Sequence, residues 1–191
     1  MSRRRFAYIG WGVAASLAAG LTLAHVSGLR LNFTHSAPSG LWHVRAIAPA
    51  ALERGKLVEV CPPPAPIVVA MRERGYLSQG WLGRCEPAGV AALLKPVAAV
   101  AGDRVTVHHG EPVKVNGVAL ANTKAEKGIP AWPDGEYVVR PGQVWLFSSY
   151  SAGSFDSRYF GPVPVTNVRG EASPILIRGD TATMTIGVTT P

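Results

Sequence analysis

One stretch limits what this chain can fold into more than any other. Residues 6–26, FAYIGWGVAASLAAGLTLAHV, hold no acidic or basic side chain apart from His25, which can be neutral. About 20 such residues, each rising 1.5 Å in a helix, match the roughly 30 Å hydrocarbon layer of a bilayer. A membrane helix is therefore expected. Arg3, Arg4 and Arg5 stand immediately before it, and arginines so placed stay on the cytoplasmic side. The chain beyond would lie in the periplasm of a bacterial cell, on a single-pass inner-membrane anchor embedded in its lipid. A cleaved signal peptide competes with this reading, because small residues cluster near Ala18, Ala19 and Ala24. The run is longer than the roughly 7–15-residue core of such a peptide, which favours a retained anchor. The division expected is residues 1–28 as cytoplasmic tip and anchor, then residues 29–191 as one periplasmic domain.

The rest of the chain reads as short strands joined by turns. Its 16 prolines and 21 glycines are spread without a repeat, as many turns between strands require. Residues 40–48 and 56–61 read as strands. Residues 66–77 open on Pro66 and carry Gly75 near their end, which predicts a short helix. Residues 92–109 predict a strand interrupted by Pro96, a turn at Gly102–Asp103 and a second strand. Asn116–Gly117 between apolar runs is a strong local hairpin signal, and residues 136–149 and 174–179 supply further strands. The fold class expected is a compact, mostly antiparallel β domain behind one N-terminal membrane helix.

The net charge of +7 does not point to nucleic acid, because three of the basic residues precede the anchor and the others form no stripe interleaved with aromatics. The two cysteines, Cys61 and Cys85, match no CxxC or zinc spacing. In an oxidising compartment they are expected to form one disulfide, and two buried free thiols are the alternative. No metal or other cofactor is implied, since the five histidines lack ligand spacing.

Three segments carry chemistry. NFTHSAPSGLW, residues 32–42, places Ser36 in a turn just beyond the anchor. LLKPVAAVAGDRV, residues 93–105, has Lys95 as the sole charge among small and apolar neighbours. Such a lysine ordinarily threads its stem along apolar surface and surfaces at the tip; buried instead, it loses its charge readily and can take a proton from a hydroxyl. SFDSRYFGPVP, residues 154–164, carries Asp156 and Arg158, spaced to pair with each other.

In order and spacing, SAP at 36–38, Lys95 before AGDRV at 101–105, and SFDSRYFGPVP resemble the serine/lysine signal peptidase family across nearly the whole chain. Members of that family commonly have Met after the nucleophile and GDN before SxDSR. Here Ala37 and SSY at 148–150 stand in those places. The set Asn32, Thr34, Ser36, Pro38, Gly40, Leu41 and Trp42 resembles the TraF-type peptidases of conjugative plasmid transfer instead. The resemblance implies a membrane-anchored serine endopeptidase with Ser36 as nucleophile and Lys95 as general base. Thr34 with the Ser36 N–H would serve the oxyanion, Ser154 would orient the lysine, and Asp156 would pair with Arg158 and share in activity. It further implies a pilin precursor or other membrane-inserted preprotein as substrate, processed, and in some members cyclised, for type IV secretion. A general signal peptidase acting on secretory preproteins is the alternative within the family.

Two readings compete with the dyad. Ser36 with His35, His43, His108 or His109 and an aspartate would make a Ser-His-Asp triad, since triad order is free of fold. A non-enzymatic subunit of a secretion or pilus assembly would explain the anchor, the strands and the cysteines, but gives Lys95 no reason.

Overall fold

The computed structural model describes residues 3–80 and 83–185. Helix α1, Arg3–Val26, has its apolar stretch Ala7–Val26 left unburied by the protein, as befits a helix long and apolar enough to cross a membrane. Beyond it the chain is almost entirely antiparallel β, as expected. Its strands are β1 (Leu29–Asn32), β2 (Ser39–Arg45), β3 (Leu57–Val60), β4 (Leu93–Ala99), β5 (Arg104–Val107), β6 (Lys114–Val115), β7 (Val118–Ala119), β8 (Gly135–Val138), β9 (Gln143–Leu146), β10 (Val163–Pro164) and β11 (Val168–Arg178). One sheet runs β1-β2-β11-β3-β4-β9-β10 and the other β7-β6-β5-β8.

Strands β4 and β9, neighbours toward the β10 end of the large sheet, have both faces covered. Side chains alternate across a strand, so Val144 and Leu146 enter one core with Val58, Val60, Val97 and Phe160. Trp145 and Phe147 enter a second core with Ala98, Ala99, Val105 and Leu120. Burial on both faces explains why VWLF and PVAAVA read as unbroken apolar runs.

Pro96 does not interrupt β4, contrary to expectation. The N–H of Val97 donates to Lys56 O and its carbonyl accepts from Gly55, both on the β3 side. The N–H that Pro96 lacks would therefore face β9, where pairing begins only at Val97. The predicted helix at 66–77 is shorter, α2 spanning Pro66–Glu73. Gly75, at φ +73, ends it, with Tyr76 N–H donating to Met71 O and Gly75 N–H to Arg72 O, a Schellman closure. Asn116 and Gly117 both have positive φ, and the hairpin joins β6 to β7, as that pair of residues demands. Strand β1 had no periodic signal of its own; four residues after an apolar run leave none to read. A short helix α3, Ser157–Phe160, and a disulfide between Cys61 and Cys85, Cα atoms 5.4 Å apart, complete the frame around the site.

Candidate active site

Lys95 is paired with Val58 in the middle of the large sheet and is only 1% exposed. Two residues before Val97, it points to the same face of β4. Among the described residues its Nζ has one hydrogen-bond partner, Ser154 Oγ at 2.7 Å. Burial is the main influence on this amine and lowers its pKa from 10.5 to about 8. The Asp156 carboxylate pulls it back up, and the Arg158 guanidinium pushes it further down. An ammonium here would hold three donors against one acceptor, whereas a neutral amine can give one proton to Ser154 and keep a lone pair free.

The partners of Lys95 are set by a buried ion pair. Arg158 Nε and Nη2 each lie 2.8 Å from the two oxygens of Asp156, and neither side chain is more than 1% exposed. Such a pair persists only where its remaining donors and acceptors are satisfied. Arg158 Nη1 donates to the carbonyls of Asn122, Lys124 and Ala152, and Nη2 also to Ser148. Asp156 accepts from the N–H groups of Arg158 and Ser148 and caps α3. The pair thereby clamps the turn at 151–154 that carries Ser154, whose N–H donates to Ser151 O.

Ser36 sits half-buried in the turn between β1 and β2, after the exposed Thr34 and His35 and before the buried Ala37 and Pro38. The amide of Asn32 shapes that turn from inside: its Nδ2 donates to Ala37 O and Pro38 O, both at 3.0 Å, and its Oδ1 accepts from Thr34 N–H and Thr34 Oγ1. Trp42 Nε1 donates to Pro38 O, and Ser148 Oγ to Ser36 O. Gly40, at φ +138, brings β2 so close to Leu176 that an added Cβ would lie 2.2 Å from its carbonyl oxygen. Thr34 Oγ1 is 3.3 Å from Ser36 Oγ. Because its only proton is directed at Asn32, Thr34 must exchange that bond before it can serve an oxyanion.

Ser36, Thr34 and Lys95 line one cavity of about 850 Å³ that extends to Leu21 and His25 of α1. No hydrogen bond joins Ser36 to Lys95 among the described residues; their hydroxyl and amine partners are Thr34 and Ser154. On the cavity wall Arg30 Nε lies 2.6 Å from Glu59 Oε1, and Arg30 Nη1 donates to His25 O and Leu29 O, tying the end of α1 to the sheet. Neither this pair nor the role of Asn32 was anticipated. Asn32 belonged to the motif and its short amide two residues before Thr34 is an Asx-turn signal, whereas Arg30 and Glu59 are 29 residues apart. His35 also lines the cavity, and His108 approaches Asp134 at 4.0 Å on the second sheet, outside the cavity.

The family model of signal peptidase, peptidase S26, matches residues 6–177. A probable conjugal transfer protein TraF of Sinorhizobium fredii is 40% identical over 162 residues, covering 82% of this chain and 81% of that protein. The conjugal transfer protein TraF of Agrobacterium tumefaciens is 37% identical, with coverage of 92% and 97%. A plasmid transfer protein TraF of Escherichia coli is 34% identical, with coverage of 88% and 95%. The crystal structure of a signal peptidase I from Enterococcus faecalis is similar at 17% identity and a TM-score of 0.37, over 66% of this chain and 98% of that one. With a family match over most of its length and relatives this similar, the chain belongs to the signal peptidase family, peptidase S26.

Proposed function

We propose that this protein is a membrane-anchored serine endopeptidase whose Ser36 and Lys95 form a catalytic dyad, and that it processes a pilin precursor for conjugative transfer. One observation carries the chemistry: a lysine buried in the sheet, its pKa lowered to about 8, shares a cavity with a half-buried serine. The conjugal and plasmid transfer names of the relatives support the substrate class.

Ser36 Oγ attacks the scissile carbonyl as the neutral Lys95 amine takes its proton. This requires Ser36 Oγ to exchange its Thr34 contact for one with the amine across the shared cavity. The tetrahedral oxyanion is met by the Ser36 peptide N–H and by Thr34 once released from Asn32. Lys95 then protonates the departing amine. The acyl group on Ser36 leaves to water, or to a peptide amino group where the product is cyclised. Arg3 to Arg5 stay cytoplasmic and the β domain faces the periplasm, so a preprotein is cut close to the outer leaflet.

The test offers the detergent-solubilised enzyme a pilin precursor beside a secretory preprotein. Ser36→Ala and Lys95→Met should each abolish cleavage of the pilin precursor while the protein stays folded in the micelle. Cleavage surviving in both variants refutes the dyad, and a preference for the secretory preprotein refutes the substrate.

A further inference from the structure

The turn that carries Ser154 is held from two sides. Arg158 holds it from within, through Ala152 O at 3.1 Å. From outside comes Tyr76, the third residue after α2, whose direction is set by the Schellman closure of that helix. Its ring meets Phe155 at 6.1 Å between centroids, and both residues line the cavity. Its phenolic oxygen lies 2.8 Å from Gly153 O and 3.1 Å from Glu126 Oε2, one proton facing two acceptors. Burial and the Glu126 carboxylate push this phenol up to about 12, so it remains a donor across the working range of the enzyme. Gly153 directly precedes Ser154, and Ser154 Oγ is the partner of Lys95 Nζ.

We propose that Tyr76 is a positioning residue for Lys95: through the Gly153 carbonyl it holds Ser154 against the amine, and with Phe155 it closes the cavity wall that keeps the amine dry. The Cys61–Cys85 disulfide encloses the segment that bears Tyr76, so the brace reaches the site from a cross-linked loop. The charged groups acting on Lys95 itself are Asp156 and Arg158; the Tyr76 hydroxyl hydrogen-bonds neither, only Gly153 and Glu126, though the Arg158 charge also acts on it weakly. Tyr76 therefore works through backbone placement and water exclusion, not through charge.

The proposal rests on the dyad reading for its role in turnover, but its readout needs no substrate. The full chain in micelles is titrated with isotope-labelled lysine, and the Lys95 signal is assigned by its loss in Lys95→Met. Tyr76→Phe should admit water beside Ser154 and move the Lys95 midpoint upward by about half a unit or more, with kcat lowered about tenfold and KM unchanged. Glu126→Gln, which leaves the Gly153 bond in place, should leave the midpoint where it is in the parent. An unmoved midpoint in Tyr76→Phe overturns the proposal, as does an equal shift in Glu126→Gln. Absence of any cleavage by the parent enzyme would instead defeat the peptidase reading, while the Lys95 midpoint would still decide the part played by Tyr76.

Discussion

The two halves of the site are built on opposite principles. Lys95, Ser154, Asp156 and Arg158 are sealed inside the domain, each no more than 1% exposed; the charges of Asp156 and Arg158 are answered by carbonyls, peptide N–H groups and each other, whereas the Lys95 amine has only the Ser154 hydroxyl among the described residues. Ser36, half-buried, and Thr34, exposed, stand on a turn held by the Asn32 amide, the Trp42 indole and the Ser148 hydroxyl. A base must be dry for its amine to lose its proton near neutrality, whereas a nucleophile must be reachable by a polypeptide. On the proposed dyad reading each half meets one of these demands, and both line the one cavity.

The largest effect should come from breaking the sealed half. Asp156→Ala leaves the Arg158 guanidinium buried without its countercharge and should cost about 3–5 kcal/mol in denaturant titrations of the solubilised protein. A loss under 1 kcal/mol would mean that water already reaches the pair. Lys95→Met should act in the opposite sense. Lowering the amine from 10.5 to about 8 corresponds to about 3 kcal/mol spent on burying its charge below pH 8, so the apolar replacement should raise stability at pH 7 by up to that amount. In the parent, the unfolded chain binds more protons at Lys95 than the folded one between about pH 8 and 10.5. Its unfavourable contribution therefore fades as pH rises through that window. Titrations at pH 7 and pH 10 should accordingly show the advantage of Lys95→Met shrinking.

The open half should give smaller changes with a different signature. Asn32→Ala removes the donor to Ala37 O and Pro38 O and should cost about 1–2 kcal/mol. The same variant should slow cleavage about tenfold through a misplaced Ser36. Its rate should still rise through about pH 8 as Lys95 loses its proton; a moved inflection would show the two halves to be one coupled unit. The smallest effect is expected for Trp42→Phe, which keeps a buried ring but loses the bond to Pro38 O, at about 1 kcal/mol by thermal melts.

Legibility followed the range of the forces involved. The Asn116–Gly117 hairpin and the stop at Gly75 were readable because a positive φ is a property of one or two residues. Lys95, Ser36 and the Asp156–Arg158 spacing stood out as chemistry, since a lone charge in an apolar run and a serine in a turn are local anomalies. Pro96 misled because its tolerance depends on which neighbour its missing donor faces, and that neighbour, β9, lies about 50 residues away. Tyr76, Arg30 and Glu59 carried no local mark at all: their meaning lies in Gly153, His25 and one another.

By itself, then, the amino-acid order determined an apolar N-terminal helix long enough to cross a membrane, a turn-rich β domain, and which side chains carry hydroxyl, amine and carboxylate chemistry, because hydropathy, strand period and side-chain chemistry are carried by each short segment. Only the tertiary structure decided that Lys95 is dry and that the Arg158 guanidinium, already expected to pair with Asp156, is enclosed by four backbone carbonyls besides that carboxylate. Burial and electrostatic environment are properties of what the rest of the chain brings alongside a residue, and in this fold that company arrives from strands and turns dozens of residues away.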